Sequence, residues 1–177
     1  MREQPILESE RLSLRPFTDA DGPAVQALAG DERIADLTSA IPHPYPDGEA
    51  ERWIATHRGM WDAGTGVVYA IILRSHAELI GAISVTGISA GEGELGYWIG
   101  VPNWGRGYAS EAVQTLLPFL FDSRFLSSLY AKVLVRNPAS AKVLSRAGFV
   151  HTTRAQATCG YRQQREPVDM FTWQPRP

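Results

Sequence analysis

The stretch "PNWGRGYASEA", Pro102 to Ala112, sets two glycines around an arginine directly ahead of a helix-forming run. The first turn of an α-helix has four N–H groups without intrahelical partners and a partial positive charge, so it receives anions. Glycines at such a turn let the backbone approach the anion closely. The chemistry on offer is phosphate binding, and the residue types narrow which phosphate. A P-loop places Gly-Lys-Ser/Thr at the helix start, and "GRGYAS" does not. A dinucleotide fold places G-x-G-x-x-G after an early strand, with an acid about 20 residues further on. That pattern is absent too. Both nucleotide readings fail, which leaves a phosphate-bearing ligand of another class or a purely structural turn.

The elements around the turn must position it. "ELGYWIGV" (94–101) runs into it and is apolar enough for a strand buried on both faces. After it, Ala109, Ala112, Val113, Leu116, Leu117, Leu120 and Phe121 form one stripe at helical spacing. Pro118 lies inside this helix and is expected to kink or shorten it. "LYAKVLV" (129–135) reads as a further strand. "RNPASAKVLSRAGF" reads as a punctuated helix, with Asn137 at the N-cap, Pro138 at the first helical position and Gly148 past the end.

Upstream, "RLSLRPF" (11–17) alternates as a strand, and Thr18 with Asp21 resembles a capping box opening a helix that ends at Gly30. The Pro-rich "IPHPYP" (41–46) must be an irregular loop. Asp47 is expected to cap the helix "GEAERWIATHRGMWDAG", whose Trp53, Ile54, Met60 and Trp61 make a loose apolar stripe. "VVYAIIL" (67–73) and "LIGAISVTG" (79–87) read as a hairpin, as do Val150–Thr158 and Pro167–Trp173. The sum is a single domain over residues 1–177 of the α/β class (α+β type), without repeat or linker. Helices flank a mostly antiparallel mixed sheet, with one strand–helix–strand crossover in the middle.

Composition bounds the function. The chain has 177 residues, 44% hydrophobic and 20% charged, with a net charge of −2. That charge argues against broad binding to nucleic acid. The longest apolar runs fall far short of the roughly 20 residues of a membrane helix, and "MREQPILESE" has no apolar signal core. The lone Cys159 suits the cytoplasm, and His43, His57, His76 and His151 are scattered, so no metal site is expected. The charge is unevenly spread. Arg124 to Arg165 holds eight Lys/Arg and no acid, whereas Met1 to Gly64 holds twelve acids against six bases. One reading is a solvated surface; the other is a phosphate ligand beside the basic segment and a cationic acceptor beside the acidic one.

Three stretches in sequence order carry a resemblance. "SERLSLRPFTDAD", "GELGYWIGVPNWGRGYASEA" and "NPASAKVLSRAGF" resemble the opening strand and helix, the pyrophosphate loop and the second coenzyme-binding helix of one superfamily. It is the GCN5-related N-acetyltransferase (GNAT) superfamily, in its ribosomal-protein N-terminal acetyltransferase (RimJ/RimL-type) branch. Trp104 stands where the superfamily's loop usually starts with Gln or Arg. The resemblance implies acetyl-CoA as co-substrate, no metal, and an amine acceptor, either a protein N-terminus or a small molecule. It implies that the strands at 94–101 and 129–135 splay around the coenzyme.

The same resemblance assigns roles. The backbone of Ile99 and Val101 would pair with the pantetheine arm, and the amides of Gly105, Arg106, Gly107, Tyr108, Ala109 and Ser110 would hold the pyrophosphate. Asn137 and Ser140 match the family's N-x-x-S, with Asn on the coenzyme arm and Ser near the sulfur. Capping alone also explains Asn137, and Ser140 is equally a first-turn helix residue. Acetyl transfer needs a neutral amine, a donor for the oxyanion and an acid for the departing thiolate. Glu94 is the candidate base at the cleft mouth, or else a solvated strand-end glutamate; Ser140 is the candidate acid. Cys159 lies about where the branch sometimes carries a glutamate, and reads as a buried small residue rather than a nucleophile. Tyr97 and Trp98 read as core, and "IPHPYP" with Trp53 and Trp61 as a possible acceptor lining whose simpler reading is packing. The expected protein is a cytoplasmic acetyl-CoA-dependent N-acetyltransferase, monomer or homodimer. The rival is a non-catalytic acyl-CoA-binding module on the same fold.

Overall fold

Alternating and continuous apolar runs build the sheet. The computed structural model describes residues 3–122 and 126–175. Among these, eight strands form one sheet: β1 (Leu7–Glu8), β2 (Leu12–Arg15), β3 (Gly66–Leu73), β4 (Glu78–Ser89), β5 (Glu92–Ile99), β6 (Ser128–Leu134), β7 (Val150–Cys159) and β8 (Gln164–Trp173). Their spatial order is β1-β2-β3-β4-β5-β6-β8-β7, and every pairing is antiparallel except β5 with β6. That one parallel contact is the expected crossover, and its connection is the helix α4 (Tyr108–Asp122).

Helices α1 (Gly22–Ala29), α2 (Glu32–Leu37), α3 (Glu49–Ala63) and α5 (Pro138–Arg146) complete the domain. One face of the sheet packs α4 and α5 through Tyr69, Ile71, Ile83, Leu95, Val113, Leu116, Leu120 and Leu144. The other packs α1 and α3 through Val25, Ala29, Ala50, Ile54, Ala70, Ile72 and Leu79, with Trp98 beside them. Strand alternation therefore sends Leu95, Tyr97 and Ile99 toward α4 and α5, and Glu94, Gly96 and Trp98 toward α1 and α3.

Several expectations are corrected. Pro118 does not shorten helix α4, which runs through it to Asp122. Burial of Val113, Leu116, Leu117 and Leu120 on either side of the proline offsets a cost of about 3 kcal/mol for the lost backbone bond and ring clash. Asp47 does not cap α3; the N-cap is Gly48, with φ of 75°, and the Asp47 carboxylate accepts from Gln26 Nε2 at 3.0 Å. The capping box holds, with Thr18 N–H donating to Asp21 Oδ2 at 2.8 Å, but it opens a 3-10 turn (Asp19–Asp21) that leads into α1. The short β1 and α2 were not foreseen. Six residues are too few to show a helical period, although Asp31 caps α2 by accepting from Arg33 N–H at 2.9 Å.

The buried stripe of α3 is Ala50, Ile54, His57 and Trp61, at the i, i+4, i+7 and i+11 positions of one helical face. Trp61 is buried and stacks with Phe119, whereas Trp53 is partly buried and packs edge-on against Phe17. His57 is 7% exposed, between Phe17 and Trp53, and neither ring nitrogen has a hydrogen-bond partner among the described residues. Burial pushes its pKa down to about 4, against about 6.5 for an unfolded chain. The folded state thus excludes a proton that the unfolded state binds, so the stability held above pH 6.5 is lost as pH falls toward 4. We expect His57→Leu to match the wild type at pH 7.5 and to exceed it by about 2 kcal/mol at pH 4.5, after allowing for solvent screening. Denaturant midpoints across that range check this; parallel pH profiles for the two proteins would contradict it.

Candidate active site

Strands β5 and β6 pair only over Glu92–Glu94 and Ser128–Tyr130. Beyond Glu94 they part, and Leu95 to Ile99 have β4 on one side and, among the described residues, no strand on the other. The far end of that open edge leads through a 3-10 turn, Val101–Asn103, into the Gly turn and α4. Ile99 lies five residue steps along the strand from Glu94, about 17 Å. The V-shaped opening thus runs from a carboxylate at its apex to a helix N-terminus at its mouth.

Gly105 and Gly107 take left-handed backbone conformations, φ 74° and 80°, as their residue type permits. The first helical bond of α4 runs from Glu111 N–H to the Gly107 carbonyl at 3.1 Å. The N–H groups of Tyr108, Ala109 and Ser110 therefore have no partner within the helix. The Tyr108 ring is buried beneath the Arg11 guanidinium, 4.7 Å from its centroid, so this residue offers a ligand its amide.

The turn is braced from the β1–β2 connection, which sequence reasoning missed. Arg11 Nη1 donates to the Arg106 carbonyl at 2.9 Å, and Arg11 Nε to Glu111 Oε2 at 2.6 Å. Glu111 Oε1 accepts from Arg11 N–H at 2.8 Å and from Ser9 Oγ at 2.7 Å. Burial works to raise the Glu111 pKa and is outweighed by the Ser9 and Arg11 bonds, so it lies below the ordinary carboxylate value. An acid in the first turn of α4 was the available signal; its partner, a hundred residues earlier in the chain, gave none.

Ile99 and Val101 need separate treatment. The strand ends at Ile99, and Val101 opens the 3-10 turn instead of extending β5 as expected. The Ile99 carbonyl accepts from Trp104 Nε1 at 2.6 Å. Trp104, 41% exposed, thus ties the turn to the strand end by its side chain.

On the other side of the opening, Asn137 caps α5, its side-chain oxygen accepting from Ser140 N–H at 3.2 Å. Ser140 Oγ lies 2.8 Å from the Tyr97 hydroxyl, which also donates to the Ser140 carbonyl at 3.2 Å. Tyr97 packs against the core as expected, but its polar end reaches across the opening. At the apex, Glu94 Oε2 accepts from Lys132 Nζ at 2.9 Å, and the Glu94 side chain is 30% exposed. Glu94 and Ser140 stand on different elements, one facing the α1/α3 layer and the other in α5 on the opposite layer.

Half of the basic segment's cations are answered by acids of this chain. Arg136 binds Asp36 at 2.7 Å and Glu166 at 2.6 Å; Arg154 binds Asp169 at 2.7 Å; Arg162 reaches Glu32 and Asp36. With Lys132 on Glu94, four of the eight cations are paired, three of them with acids on α2 and β5 (Glu32, Asp36 and Glu94) and two with β8 (Glu166 and Asp169). Lys142, Arg146 and Arg165 are exposed, and Arg124 lies outside the described residues. Much of the sequence asymmetry therefore reflects pairing between elements of the chain. The Arg162 pairs dock the β7–β8 turn on α2, where the Tyr161 hydroxyl donates to Glu32 and its ring meets His43 of the Pro-rich loop. Cys159 is buried with Leu134 and Val168, and burial raises its pKa, as suits a packing residue.

Comparison with known proteins decides the family. Residues 11–150 match the model of the acetyltransferase (GNAT) domain. This chain belongs to the GNAT acetyltransferase family. Among relatives, it is 30% identical over 147 residues to the uncharacterized N-acetyltransferase YoaA of Bacillus subtilis (strain 168), covering 82% of each chain. It is 37% identical over 75 residues to the ribosomal-protein-serine acetyltransferase of Escherichia coli (strain K12), 41% of this chain and 42% of that one. A solved structure of RimL, the ribosomal L7/L12 alpha-N-protein acetyltransferase, in complex with coenzyme A, superposes with a TM-score of 0.87 at 19% identity. The match covers 96% of this chain and 98% of that one. The α/β architecture, an eight-stranded mixed sheet flanked by five helices, is that of a GNAT acetyltransferase. Among the described residues no group of His, Cys, Asp and Glu could hold a metal, and no helix is long and apolar enough to cross a membrane.

Proposed function

We propose that this GNAT enzyme transfers the acetyl group of acetyl-CoA directly to a primary amine in a ternary complex, in the cytoplasm. The observation that carries the reading is the open edge of β5, which leads from Glu94 to three unpaired helix-start amides behind Gly105 and Gly107. A pyrophosphate on the amides of residues 105–110 would lay the pantetheine arm along Leu95–Ile99, pairing with the backbone of Ile99 at the strand end and of Val101 in the turn beyond it. The thioester would then come near the apex. The Asn137 oxygen is committed to the cap, so a contact to the coenzyme arm would come from its amide nitrogen.

In the reaction the amine nitrogen attacks the thioester carbon, forming C–N, and the C–S bond breaks with its electron pair on sulfur. Glu94 takes the ammonium proton, directly or through water, while Lys132 keeps the carboxylate aimed. Ser140 gives a proton to the thiolate. A protein N-terminal α-amine is the lead acceptor, supported by the names of the E. coli relative and of RimL; a small-molecule amine is the alternative.

The test is release of coenzyme thiol from acetyl-CoA across a panel of N-terminal peptides, polyamines and aminoglycosides. Acceptor-dependent release with acetylated product supports transfer. Coenzyme binding without acceptor-dependent release over the whole panel would support the rival, a non-catalytic acyl-CoA-binding module.

A further inference from the structure

The contact between Tyr97 and Ser140 joins β5 to α5 across the opening. The Ser140 backbone is fixed at both ends: its N–H by the Asn137 cap and its carbonyl by the Tyr97 hydroxyl at 3.2 Å. Its Oγ is left to rotate, 2.8 Å from the same hydroxyl. A carbonyl oxygen only accepts, so one assignment uses both contacts: Tyr97 donates to the carbonyl and Ser140 donates to Tyr97.

We propose that Tyr97 is a positioning residue for thiolate departure, holding Ser140 Oγ and supplying the hydrogen bond that Oγ accepts when its own proton turns to sulfur. This rests on Ser140 as the proton donor. As the C–S bond breaks, Ser140 O–H swings from Tyr97 to the thiolate. The Tyr97 proton swings from the Ser140 carbonyl to Oγ. Without it, a serine that gives up its proton becomes an unsupported alkoxide. With it, the negative charge comes to rest on the tyrosyl oxygen, which recovers a proton from water and so balances the proton released by the amine. Burial pushes the Tyr97 hydroxyl up to about 12, so it is protonated at the outset of every turnover near neutral pH.

Three variants test this: Tyr97→Phe, Ser140→Ala and the double variant, each measured for kcat and for coenzyme Kd. Loss of one hydrogen bond to a reacting group corresponds to about a 10-fold fall in kcat. Tyr97→Phe should show that fall with coenzyme Kd within about 2-fold, since the ring stays in place. The double variant should be no slower than Ser140→Ala, because Tyr97 acts through Ser140. A wild-type kcat in Tyr97→Phe, or multiplicative losses in the double variant, would overturn the proposal. Wild-type turnover in Ser140→Ala would instead overturn the reading of Ser140 on which it rests. Should Tyr97→Phe fail to fold, a polyfluorinated tyrosine at position 97 serves, its hydroxyl being several pKa units more acidic. It should bring an alkaline fall of kcat into the measurable range, and an unchanged pH profile would overturn the proposal.

Discussion

Gly107→Asp should weaken acetyl-CoA binding by at least about 100-fold, the equivalent of roughly 2.7 kcal/mol. Two causes add. At φ 80° a side chain is strained in a way glycine is not, by about 1–2 kcal/mol. The carboxylate then stands at a helix N-terminus whose amides would otherwise meet a pyrophosphate, so it occupies the site and repels the ligand. Gly107→Ala separates the causes, because a Cβ there meets only Arg11 Nη2 at an ordinary 3.6 Å. Its loss should be about 10-fold or less, the share due to strain. Arg106→Ala should change affinity far less, since its carbonyl receives Arg11 and the phosphate contacts are main-chain amides. Calorimetric titration of the three variants checks the ranking. Equal affinity in Gly107→Asp and wild type would remove the pyrophosphate from the turn.

Glu94→Gln should lower kcat/KM at least about 10-fold near neutral pH with coenzyme Kd unchanged, the lower end of what a general base contributes. Glu94 is the last residue of β5 paired to β6, so its carboxylate stands where the strands part. Glutamine keeps the size and a hydrogen-bonding oxygen but cannot take a proton. Lys132, already half-exposed, loses its ion pair at small cost. The deficit should narrow at high pH, where more of an α-amine of pKa about 8 or a lysine-type amine of about 10.4 is already neutral. Initial rates with a good acceptor from pH 6.5 to 9.5 give the answer. Wild-type rates throughout would place the base elsewhere or give its role to water.

What the sequence disclosed is what neighbouring residues encode. Gly105 and Gly107 before an apolar stripe, Asn137 with Pro138 at a helix start, and the change from hairpin to crossover are local signals, and the structure places each as read. What stayed hidden is joined across the chain. Arg11 meets Glu111, Glu94 meets Lys132, Tyr97 meets Ser140, and Arg136 bridges Asp36 and Glu166. No spacing rule connects such partners, because the sheet brings them together only after it forms. The basic segment shows the consequence: read alone it suggested a ligand's phosphates, whereas half of its cations answer acids of the same chain. His57 shows another limit. A polar residue in an otherwise apolar stripe broke the periodicity by which α3 would have been aligned.

The central claim is that acetyl-CoA lies in the opening between β5 and β6 with its pyrophosphate on the Gly turn. Amide hydrogen exchange of the free and acetyl-CoA-bound protein tests it most directly, because it reports on the backbone groups named. Slowed exchange should concentrate at residues 105–110, along Leu95–Ile99 and around Asn137–Ser140, while α1, α3 and β7 exchange as before. Bound coenzyme that leaves residues 105–110 unprotected, or that protects the α1/α3 face alone, would contradict it.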